Sequence, residues 1–256
     1  MSGETNAVGR RLRLEWLALL AGGGLLLSVG AHLVGSAGQA AHRWLLVAGA
    51  VVAYQVAFVG YHLVRTRELG DLPGGSFGAA NAVTMLRGLL YAATAGFLLV
   101  PPTGPAIRWA PGLCYGAGAA LDAVDGHLAR RTGRATALGE RLDHAFDTLG
   151  FLLAPLVGVV WGRLPVAYLA IAVARFAFRG GQAWRRHAGR PVHQLPESPL
   201  RRRLAALQMA VITVALLPVL PVEVVHPAAV LAMLPSLALF GRDWLAVSGR
   251  LPRYEE

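Results

Sequence analysis

Residues 109–160 read WAPGLCYGAGAALDAVDGHLARRTGRATALGERLDHAFDTLGFLLAPLVGVV. Two largely apolar stretches, 109–129 and 139–160, flank a short arginine-rich turn. A helix rises 1.5 Å per residue and needs about 20 apolar residues to cross the hydrocarbon of a bilayer, so each stretch predicts one crossing. Together they predict an antiparallel hairpin. Working outward, the same criterion finds spans at 14–34, 44–64, 80–100, 164–184, 204–220 and 224–244. The expected fold is therefore all-α, a polytopic membrane bundle of about eight transmembrane helices.

Composition and charge agree. The 256-residue chain is 55% hydrophobic and 15% charged, against about 25% charged in a soluble domain. This excludes a disordered tail, a disulfide-stapled module and an ordinary water-soluble domain. The net charge of +10 comes from arginine alone, because the 24 basic residues include no lysine. These arginines lie between apolar stretches rather than on one face, which argues against a nucleic-acid partner. With a cytoplasmic N-terminus, eighteen fall in cytoplasmic segments and three, Arg43, Arg108 and Arg163, in outer loops. That bias predicts a multi-pass protein of the plasma or inner membrane with both termini cytoplasmic. The first apolar stretch exceeds the 7–15 residues of a leader's core and reads as a retained span. Residues 66–79, TRELGDLPGGSFGA, read as a linker, since Pro73, Gly74 and Gly75 break a helix.

The chemistry centres on four of the 14 acidic residues: Asp122, Asp125, Asp143 and Asp147. Carboxylates at membrane depth are costly unless paired, hydrated or bound to a cation. Asp122 and Asp125 are three apart, and Asp143 and Asp147 four apart, so each pair shares a helix face. The intervening turn is short enough to bring all four together at the cytoplasmic end. Oxygen-only sites suit hard cations such as Mg2+ or Mn2+. Two such ions would neutralise the carboxylates and clamp a phosphate or diphosphate. Arg130 and Arg134 adjoin the cluster and can bind phosphate oxygens. Gly118, Gly126, Ala129 and Gly139 leave room for a backbone or a ligand to come close.

The stretch from Asp122 to Asp147 resembles the defining motif of the CDP-alcohol phosphotransferase family, D-x2-D-G-x2-A-R-x8-G-x3-D-x3-D. Asp122, Asp125, Gly126, Ala129, Arg130, Gly139, Asp143 and Asp147 fill its defined positions. Upstream, Asn81, Thr84 and Arg87 are similar to an N-x2-T-x2-R element that opens the family's first core helix. The resemblance covers roughly residues 76–245, which implies a six-helix core over 71–256 preceded by a two-helix extension over 1–70. It implies a membrane enzyme of phospholipid biosynthesis that moves a substituted phosphate, expected to be phosphatidyl, from a CDP-linked lipid donor to an alcohol with release of CMP. Asp122, Asp125, Asp143 and Asp147 would hold the two ions, and Asp147 would also act as general base. Gly126, Ala129, Arg130 and Gly139 would line the cytidine-diphosphate pocket, with Asn81, Thr84 and Arg87 facing the same cavity. A homodimer is a further expectation from the family.

The remaining signals carry less chemistry. Arg175 and Arg179 lie one turn apart in the sixth span and, with Arg202, are candidates for binding a phosphate on the acceptor, which favours a phosphorylated polyol. Arg87 in mid-span can alternatively snorkel or pair with one aspartate. His127 and His144 adjoin the aspartates without ligand spacing. Trp44, Trp109, Trp161, Trp184 and Trp244 fall near span ends, as interfacial aromatics do. Cys114 reads as helix packing. Three other functions compete. An intramembrane prenyltransferase needs a second aspartate-rich motif, yet after Asp147 only Glu197, Glu223, Asp243, Glu255 and Glu256 remain. A divalent-cation transporter would place its carboxylates near mid-bilayer on a broken helix. A non-catalytic scaffold would keep the cluster without turnover.

Overall fold

The computed structural model describes the backbone over residues 2–35, 39–69, 78–132, 137–195 and 198–251, and side chains over 16–35, 39–61, 82–123, 142–195 and 198–251. Among these residues there are eight α-helices and no strand. They are α1 (Ser2–Gly35), α2 (Ala40–Leu69), α3 (Gly78–Gly96), α4 (Gly104–Thr132), α5 (Ala137–Val160), α6 (Ala170–His187), α7 (Pro199–Leu216) and α8 (Val222–Val247). Each expected span overlaps one α-helix, and those at 80–100 and 164–184 also take in a short 3-10 turn, Phe97–Leu99 and Val166–Leu169. Among the described residues, five helices contain a stretch long and apolar enough to cross a membrane: α1, α2, α3, α5 and α8. The other three carry charge along their length: Asp122 and Asp125 on α4, Arg175 and Arg179 on α6, and Arg201, Arg202 and Arg203 on α7. Several boundaries differ from expectation, among them the starts of α1, α6 and α7. Helix α2 continues to Leu69, so the expected linker begins later, and 70–77 lie outside the described residues.

The chain divides into two compact units, Met1–Val157 and Gly158–Glu256. In the first, α1 packs on α2, α2 on α3, and α3 on α4. Leu19, Val59, Met85, Leu142 and Phe146 form one buried cluster; Val52, Leu89 and Ala92 form another. Two polar side chains of α2 point inward. Trp44 is buried, and its Nε1 donates to the Ala93 carbonyl at 3.1 Å. Its ring lies against Gly30 and Gly96, where a Cβ would collide with it. Trp44 is thus a packing wedge, not the interfacial aromatic its place near a span end suggests.

Gln55, 2% exposed, donates from Nε2 to the Gly88 carbonyl at 2.8 Å. It ties α2 to the middle of α3. Within a bilayer no water replaces such a bond, although measured side-chain bonds between membrane helices average well below the vacuum value. Gln55→Leu is therefore expected to destabilise the first unit by about 1 kcal/mol, measured by reversible unfolding in mixed micelles.

In the second unit α8 packs on α6 and α7. A buried network joins them to the 3-10 turn Val166–Leu169. The Tyr168 hydroxyl donates to Gln208 Oε1 at 2.5 Å, while Gln208 Nε2 donates to the Ala232 carbonyl (2.7 Å) and to Ser236 Oγ (2.9 Å). Every amide group of Gln208 is used, as a dry interior demands. The glycines just beyond α6 and α8, Gly189 (φ 65°) and Gly249 (φ 73°), adopt the left-handed turn that ends a helix. Arg185 then holds the Pro191 and Ser248 carbonyls, and Arg201 pairs with Asp243 at 3.2 Å.

Candidate active site

Three helices of the first unit converge on one group of charges. Helix α3 supplies Arg87, α4 supplies Asp122, and α5 supplies Asp143 and Asp147. The four-residue spacing of the α5 pair keeps both carboxylates on the face turned toward α3. Arg87 is fully buried. Its Nη1 donates to Asp122 Oδ1 at 2.6 Å and to Asp143 Oδ1 at 2.8 Å, and its Nη2 donates to Asp147 Oδ1. Of these three carboxylates Asp147 is the least exposed, 18% against 34% for Asp122 and 42% for Asp143. Asp122 and Asp143 are thus the more accessible of the three.

One oxygen from each of these three carboxylates lies within 4.8 Å of the other two. That separation matches ligands on a shared hard cation, whose bonds run from about 2.0 to 2.6 Å. The donor set is all oxygen, and a guanidinium already gathers it, so the residues fit a divalent ion. Among the described residues, the three carboxylates converge on the single guanidinium of Arg87.

Directly beneath the charges is Tyr91, one turn after Arg87 on α3. Its ring sits between α4 and α5. A Cβ at Gly118 would lie 2.6 Å from the ring, and one at Gly150 would lie 2.8 Å from it. The ring also packs on Tyr115, centroids 5.3 Å apart. Gly118 thus makes room for an aromatic ring of the same chain. Gly88 is the counterpart on α3, where a Cβ would meet the Phe146 ring at 2.8 Å.

The other expected site residues divide by location. Thr84 is buried one turn before Arg87. The side chains of Asn81, Asp125, Gly126, Ala129, Arg130 and Gly139 lie outside the described residues, as does Arg134 entirely. Their backbones, Arg134 excepted, belong to α3, α4 and α5. Arg175 and Arg179 are half-buried on α6, and Arg202 is exposed in the first turn of α7, all in the second unit. His144 is exposed beside Asp143. The sequence reading missed Gln55 and Tyr91. A glycine on each facing helix, Gly118 and Gly150, was the available signal for a ring between them.

The structure is thus a helical membrane bundle that gathers aspartates from neighbouring helices around one buried arginine. More narrowly, the model of the CDP-alcohol phosphatidyltransferase family matches residues 77–239, and the chain belongs to that family. It is an integral membrane phosphotransferase with a CDP-alcohol transferase role in phospholipid synthesis. The match spans α3 to α8 and leaves α1 and α2 outside. Comparison with curated proteins finds no match.

Proposed function

We propose that this chain transfers a phosphatidyl group from a CDP-linked lipid donor to the hydroxyl of a phosphorylated polyol, releasing CMP, in a divalent-metal-dependent reaction at the cytoplasmic face of the membrane. The observation that carries this reading is the convergence of Asp122, Asp143 and Asp147 within 4.8 Å in a chain of this family. Asp125, one turn from Asp122, completes the ligand set. Mg2+ or Mn2+, two ions in all, supplies the positive charge that offsets the donor diphosphate and the departing CMP.

The protein's own groups do the rest. Asn81, Thr84, Arg87, Gly126, Ala129, Arg130, Arg134 and Gly139 form the donor pocket. Asp147 accepts the proton of the acceptor hydroxyl, whose oxygen attacks the phosphorus that bears the lipid; the bond from that phosphorus to the oxygen of CMP breaks. Arg175, Arg179 and Arg202 bind the acceptor's phosphate. Arginine forks suit that task, and the first two sit one turn apart on one helix. Residues 71–256 form the catalytic core, residues 1–70 an added helical pair, and both termini lie in the cytoplasm, following the arginine bias. The enzyme works as a homodimer.

The test uses purified full-length protein in detergent with CDP-diacylglycerol, Mg2+ or Mn2+, and separate acceptors: glycerol 3-phosphate, inositol 1-phosphate, inositol and serine. CMP release with a phosphorylated polyol, abolished by EDTA, is the expected result. Release with serine or free inositol alone would overturn the acceptor assignment. Neither release nor metal-dependent binding of the CDP donor would overturn the reaction and favour a scaffold or a cation transporter.

A further inference from the structure

We propose that Arg87 is the resident counter-cation of the carboxylate cluster, holding Asp122, Asp143 and Asp147 together in the metal-free protein and yielding its place when a divalent ion binds. The inference rests on the metal-binding reading of this site and adds a competitor for it within the chain.

The guanidinium engages one oxygen of each of the three carboxylates, which come from two helices. Carboxylates this close repel one another strongly without a cation between them. A planar fork with five N–H donors can bridge all three in a fixed geometry, whereas an ammonium has three donors on one compact nitrogen. Arg87 thus does for the bare cluster what an ion would do, drawing α4 and α5 onto α3. Its backbone is held independently, because Gln55 of α2 bonds the carbonyl of the next residue, Gly88, at 2.8 Å. That tie between α2 and α3 does not pass through the guanidinium. The oxygens it engages all face one point, so a cation entering that point meets a positive charge already there.

The sign of the effect separates this role from the alternatives. A competitor, once removed, leaves a site that binds metal more tightly and a metal-free protein that is less stable. A residue that orients the carboxylates from behind, once removed, leaves a site that binds metal more weakly. A merely structural arginine leaves a defect that metal does not repair.

The experiment uses the full-length protein, stripped with EDTA in detergent, as wild type, Arg87→Gln and Arg87→Lys. Mn2+ binding is read from the free-ion electron paramagnetic resonance signal, and thermal unfolding is followed with and without Mn2+. Arg87→Gln should bind Mn2+ at least about tenfold more tightly than wild type and unfold at least about 5 °C lower without metal. Saturating Mn2+ should close most of that gap. Arg87→Lys should fall between the two in both measurements. Variants that fold only with Mn2+ would also support the proposal. Unchanged or weaker Mn2+ binding in both variants would overturn it, as would failure of both to fold even with Mn2+. If wild type and variants alike bind no Mn2+, the metal reading itself falls, which is a separate result.

Discussion

Asp147→Asn is expected to lower CMP release roughly 100- to 10,000-fold, the range for loss of a general base, and saturating Mn2+ should not restore it. Asp147 is the least exposed of the three clustered carboxylates and is paired with Arg87. Asparagine keeps its shape and a hydrogen-bonding oxygen, so Arg87 retains three acceptors, two of them charged. The variant should therefore stay folded, with loss of turnover arising at the reacting atoms. Asp143→Asn is the informative contrast. Asp143 is the most exposed of the three, at 42%, and in the proposed mechanism it is a metal ligand but not the base. Its loss should raise the Mn2+ concentration required, and excess Mn2+ should recover part of the activity. Turnover at saturating Mn2+ distinguishes the two, with Asp243→Asn as a control at an ion pair of the second unit. Near-normal turnover by Asp147→Asn would remove it as the base.

Most of the helical layout was legible because the signals behind it are local. Apolar length sets a crossing, arginine runs mark its ends, and a three- or four-residue interval sets a shared face. Those rules place α1 to α8 and bring Asp143 and Asp147 onto one side of α5. They also allow Asp122 to join them, because the turn between α4 and α5 is short. What they do not contain is the distance between neighbouring helices. That is set by which ring meets which glycine, a relation between residues far apart in sequence. Arg87 and Asp147 are separated by 60 positions, and no periodicity within α3 shows that its one guanidinium reaches three carboxylates.

The N-terminal pair shows the same limit from another side. Helices α1 and α2 carry no chemical motif and lie outside the family match. Spacing alone gave Gln55 no role and read Trp44 as an interfacial aromatic. In the folded chain both donate to carbonyls of α3, at Gly88 and Ala93, on either side of Tyr91. A polar side chain in an apolar span is costly unless it finds a partner, so these two residues marked a helix contact. Only the partner was hidden. The contact puts the added helices in the same compact unit as the carboxylates, behind the helix that carries Arg87.

Gly118→Ala and Gly150→Ala should each disrupt that unit, because Tyr91 leaves neither helix space for a methyl group. Overfilling a packed interior costs about 1–3 kcal/mol, against a gain of up to about 1 kcal/mol when alanine replaces glycine within a helix. Gly49→Ala on α2 isolates the gain, since a Cβ there meets nothing within 4 Å; it should be neutral or stabilising. At Gly118 and Gly150 the added carbon would sit 2.6 and 2.8 Å from an aromatic ring that is itself 2% exposed. The ring has no free space to enter, so α4 or α5 must move. Those helices carry Asp122, Asp143 and Asp147, and a shift of a fraction of an ångström spreads the oxygens that must share one ion. Activity should thus fall further than stability, with the Mn2+ requirement rising in parallel. Tyr91→Leu supplies the decisive arm: it removes the ring edge and should partly rescue both alanine variants, giving coupling of about 0.5–3 kcal/mol in a double-mutant cycle. If Gly118→Ala and Gly150→Ala behave like Gly49→Ala, or if Tyr91→Leu adds to them without coupling, Tyr91 does not set the spacing of the carboxylate helices.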